Sequence, residues 1–290
     1  MGIFSDILLT VDFDRTMTAA DSTVPERNLE AVRYFTENGG AFTLNTGRSI
    51  PMANRFLETI PVNAPFLLYN GSAAYDKETG KLIQCHPIDL DPEAVIHDLQ
   101  NRFPELILEL QGTYAHHIFQ KDPGWEGYCA NNGCPWEYAD AANIPLPFLK
   151  LALYGEFRSN TVASTYEATP EDLALFARAE AYIEETYGDK LDCFRPCARI
   201  LDIHAKGCSK LNAARQLQKN LGRKYLVCVG DAENDITMLD GADFAFCPSD
   251  GVIADRYENV CPCGEGAVAD VIYKKLPDIL KKPENPSTSI

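Results

Sequence analysis

The stretch Ile7-Leu8-Leu9-Thr10-Val11-Asp12-Phe13-Asp14-Arg15-Thr16 decides how this chain is read. Its first five residues make a short apolar run of the kind that fills a buried parallel strand. Two carboxylates come immediately after, at the place where open parallel sheets hold their ligands. Downstream the pattern alternates. A helix is expected from the capping-box signal Thr23-Val24-Pro25-Glu26, with Leu29, Val32 and Phe35 on one face and Gly39-Gly40 as its stop. Ala41–Leu44 reads as a second strand, Ile50 to Ile60 as a second helix and Phe66 to Tyr69 as a third strand. Strand–helix repetition at this spacing argues a parallel sheet with helices on both faces.

The same rhythm returns near residue 199. Arg199 to Ile203 reads as a strand, Ser209 as the cap of a helix running to Leu221, and Gly222 as its stop. Tyr225–Val229 is a further buried strand, Asp235 to Leu239 a short helix, and Phe244 to Phe246 another strand. Between the halves, residues 81–198 break the rhythm. They carry both tryptophans and the turn-rich Asp122-Pro123-Gly124 and Asn131-Asn132-Gly133, and read as an inserted α+β domain. Residues 281–290, rich in Pro, Ser and Lys, read as a frayed tail.

The residues just past each strand carry the chemistry. Asp12, Phe13, Asp14 and Thr16 stand after the first, Thr46-Gly47-Arg48 after the second, and Asn70-Gly71 after the third. Lys210 opens a later helix, and Tyr225–Val229 runs into Gly230-Asp231-Ala232-Glu233-Asn234-Asp235. Four carboxylates gathered on one edge would repel strongly in a low-dielectric cleft. A hard divalent cation relieves this, and few carboxylates with several waters suit Mg²⁺. The lysine and the Thr and Asn donors fit an oxyanion guest, a phosphoryl group. Neither GxxxxGK[ST] nor GxGxxG occurs. The residues therefore describe a Mg²⁺-dependent phosphoryl-transfer site without a P-loop. Taken singly, Asp12, Thr46, Asn234 and Asp235 would pass as turn or helix caps and Lys210 as a solvated helix start. Independent caps have no reason to recur in order at successive strand ends.

Composition narrows the class further. The 290 residues, 46% hydrophobic and 23% charged, suffice for two domains with a sizeable core. Forty-two acidic against 26 basic residues give a net charge of −16, which repels nucleic acid. No apolar run is long enough to cross a bilayer, and the N-terminal residues lack a signal-peptide pattern. A cytoplasmic chain, monomeric or a weak homodimer, is expected. The ten cysteines include the close pairs Cys129/Cys134, Cys193/Cys197 and Cys261/Cys263, but none forms a CxxC or precedes an HxxxH. Spacing thus gives no zinc motif, and reduced thiols are expected. Tyr114, His116, His117 and Trp125 of the insert read as core packing.

The ordered set Asp12-x-Asp14-x-Thr16, Thr46, Lys210 and Gly230-Asp231-x-x-x-Asp235 resembles the four motifs of the haloacid dehalogenase superfamily. Leu-Asn-Thr-Gly-Arg, Tyr-Asn-Gly-Ser, Gly-Cys-Ser-Lys and Gly-Asp-Ala-Glu-Asn-Asp resemble its Cof-type (class IIB cap) phosphatases. The resemblance implies a Rossmann-like parallel sheet core, residues 1–80 and 199–290, with an inserted cap at 81–198 that selects substrate. It implies that Asp12 is the nucleophile and Asp14 the general acid and base. Mg²⁺ would be held by Asp12, the Asp14 carbonyl and Asp231, with Asp235 in support. Phe13, Thr46, Gly47, Lys210 and Asn234 would hold phosphoryl oxygens, and Thr16 would orient the loop. Arg48 stands open between anchoring and substrate contact. The implied activity is hydrolysis of small phosphorylated metabolites, sugar or cofactor phosphate esters. A phosphomutase of the same superfamily keeps these residues, and a phosphate sensor is the non-enzymatic alternative. Two positions depart from the pattern. Arg15 stands where the family most often has Gly, so its side chain should point away or toward substrate. Phe246-Cys247-Pro248-Ser249 stands where many relatives carry an Asn-Ala pair.

Overall fold

Apolar runs four or five residues long, closed by turn residues, become strands in the computed structural model, which describes residues 2–156 and 168–281. In chain order the first strands are β1 (Ile7–Val11), β2 (Ala41–Leu44), β3 (Phe66–Leu68), β4 (Ala73–Asp76) and β5 (Lys81–Cys85). Then come β6 (Ile107–Gln111), β7 (His116–Ile118), β8 (Trp136–Tyr138) and β9 (Lys150–Tyr154). The last are β10 (Leu191–Cys197), β11 (Ile200–Ala205), β12 (Tyr225–Val229), β13 (Phe244–Pro248) and β14 (Glu258–Val260). The main helices are α1 (Glu26–Glu37), α2 (Ile50–Leu57), α3 (Pro92–Arg102), α4 (Pro123–Asn131), α5 (Pro170–Tyr187), α6 (Lys210–Asn220) and α7 (Ile236–Asp240). All of the expected tail beyond Lys281 lies outside the described residues.

The chain forms two units. The first takes the residues up to Leu44, Pro61–Ala64 and the chain from Gln218 onward. Its sheet has the order β14-β13-β12-β1-β2, parallel throughout. β1 and β12 are buried along nearly their whole length, as central parallel strands must be. The expected capping box does not form: Pro25 stands at the start of α1, and the Thr23 hydroxyl donates instead to Asp21 Oδ1 at 2.6 Å. The aspartate two residues back is the nearer acceptor, and Pro25 offers no N–H for a box.

The second unit, Asn45–Ile60 with Pro65–Leu217, holds the other two sheets. One is the antiparallel β3-β4-β5, joined to Asn45 by a single parallel bridge at Leu67. The expected third parallel strand is thus the first strand of a meander. The other sheet runs β10-β11-β9-β6-β7-β8. β11 pairs antiparallel with both β10 and β9, so the strand expected to restart the parallel rhythm near residue 199 belongs here instead. Strand period separates the faces of β6. Leu108 and Leu110 pack with Leu99 of α3 and Phe176 of α5, whereas Ile107 packs with Trp125 and Cys129 of α4. Of the four residues expected in the core, His116, His117 and Trp125 are buried, but Tyr114 is 88% exposed. It sits in the Gly112–Ala115 turn between β6 and β7, where the chain reverses and no layer covers it.

Candidate active site

Parallel pairing brings the first cluster together. Val11 pairs with Val229, and the next amide, of Asp12, donates to the Val229 carbonyl at 2.9 Å. The ladder therefore delivers Asp12 and Asp231 from neighbouring strand ends to one place. Asp12 is 7% exposed, Asp231 3% and Asp235 0%, and carboxylate oxygens of the three lie within 4.8 Å of one another. Thr16, buried, donates to Asp231 Oδ1 at 3.0 Å. Asp235 Oδ2 accepts from the amides of Asp231 (3.1 Å) and Ala232 (3.3 Å), which folds the loop onto it. Only glycine fits at 230, because a Cβ there would come within 2.6 Å of the Asp235 side chain. Three buried carboxylates offer an all-oxygen donor set whose mutual repulsion a divalent cation would relieve, so these residues fit a hard metal ion.

Between Asp12 and Thr18 the chain makes one wide turn, with Met17 N donating to Asp12 O and Thr18 N to Phe13 O. Asp14, half-buried, has extended backbone, and Arg15 turns left-handed with φ 57°. This is the conformation that glycine adopts without a Cβ penalty, which explains why Gly would suit position 15. The Arg15 side chain, 44% exposed, leans against the cluster, with Nε 3.8 Å from Asp231 Oδ2. Asn234 is half-buried on the short turn Glu233–Asp235. The departure at Phe246–Ser249 lies behind the Asp231 loop: a Cβ on Gly251 would meet Cys247 Sγ at 2.7 Å and the Asp231 carbonyl at 3.1 Å. Burial first, then the charges of Asp231 and Asp235, push the Cys247 thiol up to about 12, so it stays protonated.

The remaining expected residues lie in the second unit, drawn together there by backbone bonds. Thr46 N donates to Leu67 O at 2.9 Å, and Thr46 O accepts from Asn70 N at 3.0 Å. Arg48 N donates to Thr46 Oγ1 at 3.2 Å, and Arg48 O accepts from Tyr69 N at 3.0 Å. Gly71, with φ 95°, can carry no side chain, since its Cβ would sit 2.3 Å from the Ser209 carbonyl. That close approach sets the start of α6, where Lys210 is buried and its carbonyl accepts from Asn45 Nδ2 at 2.9 Å.

Behind the Thr46–Arg48 turn stands a network that motif reading passed over. Lys150 Nζ donates to Gly47 O at 3.0 Å and pairs with Asp202 Oδ2 at 2.7 Å. Asn70 Nδ2 donates to the same Asp202 oxygen at 2.9 Å and lies 3.2 Å from His204 Nε2, and Ser72 Oγ is 2.8 Å from His204 Nδ1. Burial raises the Asp202 carboxyl above the usual carboxylate range, with Lys150 opposing, and burial followed by the Lys150 charge drives His204 well below the ordinary imidazole value. A signal was present: Lys150 and Asp202 each interrupt an apolar strand, where a charge is buried only if partnered.

The model for haloacid dehalogenase-like hydrolases matches residues 9–252. The chain belongs to that family. It is 20% identical to the 5-amino-6-(5-phospho-D-ribitylamino)uracil phosphatase YitU of Bacillus subtilis, over 85% of this chain and 88% of that one. It is 23% identical to the HMP-PP phosphatase of Serratia proteamaculans, over 80% of each. In fold it is similar to a haloacid dehalogenase-like hydrolase from Bacteroides thetaiotaomicron, with TM-score 0.76 and 18% identity over 92% of this chain and 98% of that one. The HAD subclass IIB sugar phosphatase BT4131 gives TM-score 0.71 and 16% identity over 94% and 99%. The expected α/β fold of a haloacid dehalogenase is thus the fold observed. No helix among the described residues is long and apolar enough to cross a membrane.

Proposed function

We propose that this hydrolase is a Mg²⁺-dependent phosphatase that cleaves small phosphorylated metabolites, sugar or cofactor phosphate esters, through an aspartyl-phosphate. The observation that carries this reading is the buried trio Asp12, Asp231 and Asp235 at the ends of adjacent parallel strands, with Thr16 bonded to one of them. Asp12, the Asp14 carbonyl and Asp231 would hold the cation, with Asp235 bracing the loop. Bound there, Mg²⁺ neutralises carboxylate and phosphoryl charge.

Asp12 attacks phosphorus, and the bond from phosphorus to the ester oxygen breaks. Asp14 gives its proton to that leaving oxygen. Then Asp14 takes a proton from water, the water attacks the phosphorus, the bond to Asp12 breaks, and inorganic phosphate leaves. The Phe13 and Gly47 amides, Thr46, Lys210 and Asn234 hold the phosphoryl oxygens, and Arg48 supports the turn that carries Thr46 and Gly47. In this reading residues 1–80 and the chain past β11 carry the chemistry, and the insert, whose sheet includes β11, forms the cap that chooses among esters. The substrate class is supported by the metabolite esters named for the relatives.

A panel of phosphorylated metabolites, assayed for phosphate release with Mg²⁺ and with excess chelator, tests the proposal. Release from sugar or cofactor esters that chelator abolishes is the expected result. Full activity in chelator, or none on any ester including p-nitrophenyl phosphate, would overturn it.

A further inference from the structure

A second cluster of metal-type donors, unused by the phosphatase chemistry, lies buried in the second unit. Its members come from β7 and from the end of α4. Past α4 the chain reverses through Gly133, with φ 61°, and the Cys134 amide donates to the Cys129 carbonyl at 2.9 Å. The reversal sets one thiol beside the other and both beside the His116 ring. A ring nitrogen of His116 and the sulfurs of Cys129 and Cys134 lie within 4.8 Å of one another, and all three residues are buried.

The surroundings resemble the support that a metal-binding imidazole needs. His116 Nδ1 is 2.7 Å from Glu109 Oε1, which also accepts from Trp125 Nε1 at 3.1 Å, while Glu109 Oε2 accepts from Gln111 Nε2 at 2.9 Å. A carboxylate on Nδ1 fixes the tautomer and leaves Nε2 to act as ligand. Nε2 lies 2.6 Å from the Ser49 hydroxyl. Met52, Ile118, Trp125 and Tyr128 wall the site with apolar surface. Cys129 and Cys134 belong to the same packed cluster, which holds both sulfurs close to the His116 ring.

We propose that His116, Cys129 and Cys134 form a buried Zn²⁺ site, with Ser49 as the fourth donor. Two thiolates and a neutral imidazole cancel the charge of a divalent ion, which a buried site requires. Thiolate and imidazole donors select Zn²⁺ over the hard cation suited to the carboxylate trio. Bonds of about 2.0 Å to nitrogen and 2.3 Å to sulfur place tetrahedral donors within about 4 Å of one another, so shifts of about 1 Å complete the shell. On binding, each thiol releases one proton and His116 ligates through Nε2, keeping its Nδ1 proton on Glu109. An imidazolium His116 releases a third proton, Ser49 gives up its bond to Nε2, and nothing is oxidised or reduced. The site then ties the end of α4 to β7.

Cobalt reports thiolate ligation directly. Reduced full-length protein titrated with Co²⁺ in excess Mg²⁺ should develop a thiolate-to-cobalt charge-transfer band that saturates at one ion per chain and vanishes on adding Zn²⁺. Cys129→Ser and Cys134→Ser should each lose the band, Asp231→Asn should keep it, and Glu109→Gln should weaken cobalt affinity by about 10- to 100-fold. Absence of the band in the reduced wild-type chain overturns the proposal without any variant having to fold. So does its survival in both cysteine variants, or a Cys129–Cys134 disulfide whose reduction leaves a protein that binds no cobalt.

Discussion

The carboxylate trio of the first unit and the thiol–imidazole trio of the second are both buried and both compact, yet they are assembled by different means. Asp12 and Asp231 meet because their strands run parallel in register, and each leaves its strand at the carboxyl end. His116, Cys129 and Cys134 meet because a short helix and a glycine turn lay two sulfurs against a neighbouring strand. The oxygen donors stand at the carboxyl ends of parallel strands, where open sheets hold their ligands. The sulfur and nitrogen donors lie within an apolar cluster. The first arrangement suits chemistry, and the second suits a resident ion.

Removing Asp12 puts the greatest load on this contrast. Asp12→Asn should lower turnover by roughly 10⁵–10⁶-fold, the scale of losing a nucleophile, and leave cobalt–thiolate absorption unchanged. Normal turnover in that variant would end the assignment. Asp14→Asn should slow turnover by about 10²–10⁴-fold. Its first step should suffer less with p-nitrophenolate, which leaves without a proton, than with a sugar alkoxide, and equal losses would refute the acid role.

The units should also differ toward acid. His204, in the second, has a folded-state pKa well below the ordinary 6.5. Above pH 6.5 it is neutral folded or unfolded, and its contribution to stability is complete. Below that, the unfolded chain takes up a proton that the folded one refuses, so stability falls with pH by at most about 1.4 kcal/mol per unit. Urea midpoints measured from pH 7 to pH 5 should drop more for the wild type than for His204→Gln, and parallel curves would contradict this. The smallest effect belongs to Arg15, whose guanidinium leans on Asp231 from a largely solvated position. Arg15→Ala should lower the Mg²⁺ concentration for half-maximal activity by up to about five-fold, the worth of an exposed ion pair. A rise in that concentration would show that Arg15 assists the cation.

Much of the parallel sheet was legible because its strands are short apolar runs between turn residues. Ile7–Val11, Ala41–Leu44 and Tyr225–Val229 have the bounds expected of them. The meeting of Asp12 with Asp231 was legible for the same reason, since both stand where strands stop. The partner of a strand was not. Residues 200–203 look the same whether they join a parallel or an antiparallel sheet, and only pairing with β9 and β10 decides it. The Thr23 cap was lost to a competing local acceptor, Asp21. Lys150 with Asp202, and His116 with two cysteines, escaped spacing rules because their members arrive from different elements.

The hydrogen bond from Thr16 to Asp231 spans 215 residues, and this separation orders events as the chain leaves the ribosome. Every residue of the second unit has emerged once Leu217 is out. β1 must still wait for β12 to cover one edge, and closing so long a loop is entropically unfavourable until its contacts form. A nascent chain halted at Leu217 would carry the whole thiol–imidazole trio and a single member of the carboxylate trio. For that interval β1 would present an unpaired apolar edge to solvent or to a chaperone.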